Sequence, residues 1–494
     1  MDDLNFSEHD LKILQDLLVS KNVNFLLGAG ASAPYFSTLN NMENLITDIG
    51  NSNLDSTKKE KLKKLLILFF LILSVCDNYS LISRKEDKES TPLMNTILEQ
   101  YTALINIISN YMFLRNSKIN PIRVNVFTTN YDLFLEKAFD LYLEKNNRIS
   151  LNDGAEGYFR RYIDSDNYNK TTAHSGLYDN YYMETPTFNL IKLHGSANWS
   201  LDSNNKILID NDLDYFEDFK RLAHDILNEN YDDYSEEKQR DYIKRHITGI
   251  ECHLYLERLE NKTTLFDSIK IDEKFIDKAN NLQIVMPTKD KFKNTVFSNH
   301  YYSMIRYMKE TLEKKDSILV VFGFSFADEH LRTELKRAFT NPGLLVYIVC
   351  YKDNDKDNIL NVLDYTDRTV PINVSFISPS TIKSFQDYKG ILEYTALYGE
   401  EIKGNHSDIL EFLSQNELSE EYLEEDIQSL RNTLEEMTLL EEIAIEASGI
   451  VKTILGNPIV QHLYATEQEG IELFYSAVIS FRAFNNILKY RRDQ

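Results

Sequence analysis

Four short apolar runs, each ending in a cluster of small and polar residues, constrain this chain more than any other feature. Val23–Leu27 (VNFLL) ends at Gly28–Ser32 (GAGAS), and Arg123–Thr128 (RVNVFT) ends in Thr128–Asp132 (TTNYD). Phe188–Leu193 (FNLIKL) runs into His194–Ser196 (HGS), and Ile318–Phe322 (ILVVF) runs into Gly323–Glu329 (GFSFADE). Short, almost wholly apolar runs of this kind read as strands buried on both faces. Leu282–Met286, Leu344–Cys350 and Val374–Ile377 extend the set, with helical patterns between several of them. Strands alternating with helices predict a mostly parallel sheet covered on both sides. Ligands of such sheets bind at the carboxyl ends of the strands, so the four clusters are expected to converge on one crevice.

The rest of the 494 residues is read around that frame. Leu11, Ile13, Leu14, Leu17 and Leu18 recur at helical spacing before the first strand. Segments 36–118 and 201–280 read as helical insertions, and 381–494 as a C-terminal helical region for oligomer or partner contacts. In that last region no strand is expected; Ile409–Leu413, Leu418–Ile445 and Ile471–Tyr490 read as amphipathic helices. The most apolar run, Leu65–Cys76, is shorter than the roughly 18 residues a membrane span needs. It is expected in a buried helix or an oligomer interface. The acidic, polar start Met1–Asp10 gives no sign of a secretory signal, so a reducing cytoplasm is expected.

Charge and cysteine content narrow the chemistry. Lys plus Arg number 54 against 77 Asp plus Glu, a net charge of −23. A field of that sign repels nucleic acid, so direct binding to DNA or RNA is not expected. The three cysteines, Cys76, Cys252 and Cys350, form neither a disulfide framework nor a CxxC pair, and no metal site is expected.

Each cluster has a chemical reading and a plainer one. In GAGAS, Gly28 allows a sharp turn after the strand, and Gly30 allows close backbone approach to a pyrophosphate. Ala33 fits the last place of the dinucleotide pattern G-x-G-x-x-G/A, and no Lys-Ser or Lys-Thr follows to make a nucleoside triphosphate loop. A glycine turn between strand and helix is the plainer reading. The acidic residue expected for a ribose is ambiguous between Glu43 and Asp48. In TTNYD, an N-cap explains Asp132 alone but not the whole group Thr128, Thr129, Asn130 and Asp132. His194, followed by a glycine at a strand end, is placed for acid–base work near neutrality. Gly323 and Ser325 are positioned for ribose or phosphate, while Asp328 reads either as functional or as the cap of a helix over Glu329–Ala338. The expected fold is thus α/β, a Rossmann-like, mostly parallel sheet with helical insertions.

Taken in order, the clusters resemble the sirtuin-like NAD-consuming family. GAGAS matches its Gly-Ala-Gly-x-Ser loop, and TTNYD is similar to its Thr-Gln-Asn-x-Asp motif with Thr129 in place of Gln. KLHGS (Lys192–Ser196) matches the histidine–glycine motif, and Gly323–Ser325 is similar to the Gly-Thr-Ser element. The chain departs from the deacylases in lacking a four-cysteine zinc ribbon and in reading Ala33-Pro34-Tyr35-Phe36 after the loop. In its Thr-Thr-Asn-Tyr-Asp and Lys-Leu-His-Gly forms and in Gly323–Leu331 (GFSFADEHL), it resembles instead the bacterial sirtuin-like NAD hydrolases of antiphage defence, the last stretch in particular resembling members associated with a hexameric HerA-type ATPase. The resemblance implies cleavage of NAD to nicotinamide and ADP-ribose. It implies Asn130 and His194 as the catalytic pair, with Gly28, Ala29, Gly30, Ser32, Thr129, Asp132, Gly323 and Ser325 contacting the dinucleotide. The rival readings are an NAD-dependent protein deacylase and a non-catalytic scaffold sensing NAD or ADP-ribose.

Overall fold

The computed structural model describes residues 6–33, 35–36, 46, 49–51, 55–82, 92–115, 122–146, 149–178, 182–228, 273–286, 295–366, 368–385, 391–396 and 475–489. The chain divides into two compact units. The larger comprises His9–Val349, Ile359–Phe376 and Leu488–Gln494, and it contains all four clusters.

In chain order the strands are β1 (Asn22–Leu27), β2 (Arg123–Thr128), β3 (Ser150–Asn152), β4 (Ala155–Glu156), β5 (Arg161–Ile163), β6 (Ala173–His174), β7 (Met183–Glu184) and β8 (Thr187–Lys192). They continue with β9 (Gly195–Leu201), β10 (Ile207–Ile209), β11 (Leu282–Ile284), β12 (Ser317–Phe322), β13 (Leu344–Val349), β14 (Val374–Ile377), β15 (Glu393–Ala396) and β16 (Tyr475–Val478). Seven of them form one sheet in the order β14-β13-β12-β1-β2-β8-β3. Every pairing from β13 across to β3 is parallel, as expected of an α/β fold. From β1 the chain builds towards β2 and β8 on one side, and returns later to lay β12 and β13 on the other. The β1/β12 boundary is therefore the topological switch point, where open parallel sheets take their ligands.

Register is fixed by an unusual polar line through the apolar sheet. Asn24, Asn125 and Asn189 stand opposite one another on β1, β2 and β8. Asn125 Nδ2 donates to Asn24 Oδ1 and Asn189 Nδ2 to Asn125 Oδ1, both at 2.9 Å. Asn24 closes one end on Ile318 O at 3.2 Å, and Asn189 the other on Tyr168 O at 3.1 Å. All three are buried, so a one-residue slip would strand several amides in an apolar interior. With this pairing Phe322, Leu27, Thr128 and Lys192 end their strands side by side at one level. The four clusters therefore leave the sheet together.

Segment 36–118 contributes the helices Ser56–Leu71, Asn78–Ile82 and Pro92–Phe113, the first two joined by a π-turn at Ile72–Cys76. The span Ser56–Ile82 is long and apolar enough by composition to cross a bilayer, longer than its apolar run alone suggested. However, 78% of its apolar window is buried within the protein, as in a core helix. Beyond Phe113, Arg115 gathers the carbonyls of Leu18, Lys21 and Arg123 at 3.1, 2.7 and 2.9 Å. Burial there pushes its guanidinium down to about 10.

Several expectations are corrected. Leu282–Ile284 does not extend the parallel sheet. It pairs antiparallel with β9 in a second sheet, β11-β9-β10-β5-β4; β4, β5 and β10 are too short for alternation to be read, whereas β9 (GSANWSL) does alternate and was not expected. Segment 201–280 accordingly begins with strand, not helix. The helix after the TTNYD cluster starts at Phe134, and the glycine loop itself contains a 3₁₀ turn, Ala29–Ala31. Strands also occur beyond Pro379, where β15 pairs antiparallel with β16. The helix expected over Ile471–Tyr490 is a strand at Tyr475–Val478, then a helix at Phe481–Lys489. The helices expected at Ile409–Leu413 and Leu418–Ile445 lie outside the described residues.

Replacing Asn125 by Leu leaves Asn24 Oδ1 buried without its donor. The expected loss is about 1–3 kcal/mol, read as a lower urea midpoint at unchanged slope.

Candidate functional site

The glycine loop and the loop after β12 meet backbone to backbone. Gly28 N donates to Phe322 O at 3.0 Å, and Gly30 N to Gly323 O at 2.9 Å. A Cβ on Gly28 would lie 2.3 Å from Gly323 O, and one on Gly30 2.8 Å from Gly323 Cα. Gly323 has φ +66, and its own Cβ would lie 2.6 Å from Ala31 N. These glycines therefore allow two strand ends to touch at the switch point. Ala29 and Gly30 are exposed at the front of the turn, whereas Gly28 and Ser32 are buried. Ser325 is exposed on the facing loop. Beside it Phe326 is fully buried at φ +58, a conformation costly for a bulky side chain. Ring contacts to Phe324 (5.0 Å) and Phe339 (6.4 Å) offset that strain.

Behind the glycine turn lies a closed polar cluster. Ser32 Oγ donates to Asp132 Oδ2 at 2.6 Å and lies 2.7 Å from the Tyr101 hydroxyl. Asn130 Nδ2 reaches Ser32 Oγ at 3.0 Å and Tyr101 Oη at 3.4 Å, while its backbone N–H donates to Thr128 Oγ1. Held in this way, Asn130 is 7% exposed, and its Oδ1 accepts no hydrogen bond among the described residues. Asp132 serves both readings made of it, since its Oδ1 also accepts from Phe134 N at the start of the helix Phe134–Leu143. Thr129 is half-buried and donates its N–H to Leu27 O. Burial holds the carboxyls of Asp132 and Glu136 above their ordinary values, with nearby Lys192 opposing the shift in both.

Lys192, 3% exposed at the end of β8, knits this region together. Its ammonium pairs with Glu136 at 2.7 Å, donates to Ser196 Oγ at 3.0 Å and also donates to Asp132 O. Two residues on, His194 occupies the tight connection between β8 of the main sheet and β9 of the second. Gly195 turns that corner at φ +83, and a Cβ there would lie 1.9 Å from Gln283 O. The His194 ring faces Tyr131 (6.4 Å) and Tyr301 (6.1 Å). Its Nε2 lies 3.4 Å from Asp328 Oδ2 without completing a hydrogen bond.

The sequence-predicted residues thus fall at neighbouring strand ends: Gly28–Ser32 on β1, Thr129–Asp132 on β2, His194 after β8, and Gly323 with Ser325 after β12. Two contributors were missed. Tyr101 comes from the middle of Pro92–Phe113, inside the supposed insertion, where one tyrosine among thirty carries no local signal. Lys192 was quoted only as part of a motif, because a lysine closing an apolar strand does not reveal its burial. Among the described residues no group of His, Cys, Asp or Glu could hold a metal ion. Cys76 and Cys350 are free and buried.

Residues 124–266 match the family model described as the SIR2-like domain. That span is under a third of the chain and includes Asn130, Asp132, Lys192 and His194. The match supports the sirtuin-like resemblance and agrees with the parallel α/β sheet. SIR2-like domains are in general NAD-dependent enzymes, so an NAD-related activity fits this site. No curated protein matches the chain.

Gly323→Ala forces a side chain into a left-handed position, costing about 1–2 kcal/mol, and also separates the two loops. A marked fall in thermal midpoint is expected. Gly50→Ala, with nothing within 4 Å of the new Cβ, is expected to leave the midpoint unchanged.

Proposed function

We propose that this chain is an NAD hydrolase that cleaves the nicotinamide–ribose bond. The observation that carries the reading is Asn130, whose side-chain amide is held by Ser32 and Tyr101 and whose backbone N–H is held by Thr128, while its buried Oδ1 accepts no hydrogen bond among the described residues. Leaving such an acceptor unpaired costs about 1–3 kcal/mol, which a water or ribose hydroxyl donating to it recovers. The residues present fit a dinucleotide. Ala29 and Gly30 offer exposed backbone at the switch point, with Gly323 and Ser325 opposite for phosphate or ribose. Ser32 and Asp132 act from behind, by holding Asn130.

The chemistry asks little of the protein beyond placement. The water oxygen bonds to the anomeric carbon as the carbon–nitrogen bond breaks, through an oxocarbenium-like state. The departing electron pair neutralises the pyridinium, so nicotinamide leaves uncharged and needs no general acid. Asn130 positions the water and the ribose, and His194 accepts the proton the water gives up. A positioned base of this kind contributes about 10²–10⁴-fold.

The setting belongs to the same proposal. Free NAD cleavage would exhaust a cell, so we place the activity in antiphage defence within the cytoplasm, restrained until triggered. A homo-oligomer and a hexameric HerA-type ATPase are the proposed partners, on the strength of the Gly323–Leu331 resemblance. Chromatography of NAD incubated with the protein, alone and with its genomic neighbour's product, is expected to show nicotinamide and ADP-ribose. Asn130→Ala and His194→Ala are expected to abolish the loss of NAD while retaining the fold by circular dichroism. NAD loss that strictly requires an acyl-peptide would instead establish a deacylase, and binding without any nicotinamide release a sensor.

A further inference from the structure

Asp328 stands at the start of the helix Glu329–Phe339, and its two carboxylate oxygens face different partners. Oδ1 accepts from Leu331 N at 2.9 Å, which is ordinary N-capping. Oδ2 points the other way and lies 3.4 Å from His194 Nε2, across from a different strand end. The contact links residues 134 positions apart, and both side chains are largely buried, at 12% and 9% exposure. Capping alone needs only one oxygen and does not need a histidine opposite. We propose that Asp328 is a positioning residue for His194, orienting the imidazole and stabilising the imidazolium formed when His194 takes a proton.

The inference rests on His194 acting as the base, as proposed above. A neutral imidazole has one N–H and one lone pair. With the N–H on Nε2 facing the carboxylate, the lone pair resides on Nδ1, free to receive the proton from water. The negative charge at Oδ2 then lies beside the positive charge that develops on the ring. The 3.4 Å separation is long for a hydrogen bond, and catalytic contacts of this kind shorten when substrate is bound. Among the described residues, the other titratable groups seen facing the ring are Tyr131, from the loop after β2, and Tyr301, from the helix Thr295–Leu312. His330, on the helix that Asp328 caps, meets the Tyr301 ring at 6.5 Å. Asp328 is the one carboxylate seen in contact with the imidazole among the described residues.

Asp328→Asn separates the two roles of this side chain. Asparagine caps a helix as well as aspartate does, so the thermal midpoint is expected to be unchanged. The charge beside His194 is removed, so kcat for nicotinamide release is expected to fall at least tenfold with KM for NAD little changed. Without the carboxylate the imidazolium loses a proton more readily, and the acidic limb of the kcat–pH profile is expected to move to lower pH. Asp328→Ala, which loses cap and charge together, is expected to lower both midpoint and kcat. Wild-type turnover with an unshifted pH profile and undiminished kcat in Asp328→Asn overturns the inference and leaves the hydrolase reading standing. An absence of turnover in the wild type, alone and with the neighbour's product, overturns the hydrolase reading and the inference with it.

Discussion

Three buried asparagines set the level at which this molecule works. Apolar strands slide past one another at modest cost when their faces are uniformly greasy, and β1, β2 and β8 are nearly so. The hydrogen-bonded line Asn24–Asn125–Asn189 removes that freedom, because every slipped register strands amides in the core. A consequence is felt about three residues further along each strand. Leu27, Thr128 and Lys192 end flush, with Phe322 beside them, and the loops that carry the chemistry rise from one edge. The polar line thus spends stability deep in the sheet to specify geometry at its rim.

At that rim the residues divide by reach. The glycines bring two loops into backbone contact, so the turn after β1 is short and tightly braced. Behind it, Ser32, Tyr101, Asp132 and Thr128 hold one another and Asn130 by hydrogen bonds, and Asn130 Oδ1 is left without a partner among the described residues. On the far side of β2, Lys192 supplies the positive charge that lets the carboxylates of Asp132 and Glu136 be buried so close together. Burial and charge act in opposite senses there, and burial prevails for both carboxyls.

Much of this was legible in the sequence because it is local. Short apolar runs define buried strands within a few residues, and a glycine or a polar cluster directly after such a run marks a strand end. Hence β1, β2, β8, β12, β13 and β14 are legible in the sequence, as are Asn130 and His194 as residues standing at strand ends. What escaped depends on distance along the chain. Tyr101 is 29 positions from the Asn130 it braces, and its helix has the pattern of any buried helix. Asp328 was read as either a cap or a functional residue, since nothing in the sequence shows that its second oxygen faces His194. The strands β4, β5 and β10 are two or three residues long, too few for alternation to be seen, and β15 and β16 are separated by a stretch that gives no pairing signal.

The direct passage from β8 into β9 gives His194 a mechanical place in the molecule besides the chemical one proposed for it. Two sheets of different character are joined there by Leu193 and His194, as they are again where β3 passes into β4 through Asp153 and Gly154. Gly195 is wedged against the Gln283 carbonyl, and Val285 N is hydrogen-bonded to His194 O. Such a joint has no slack. Any load applied to the second sheet reaches the imidazole within two peptide units, and it reaches the neighbour of Asn130 as well, since Ala197 N donates to Tyr131 O at 2.9 Å and Tyr131 Oη to Val285 O at 2.7 Å. Both candidate residues are therefore coupled to the second sheet, His194 through the chain itself and Asn130 through Tyr131, so a displacement of that sheet is felt at both.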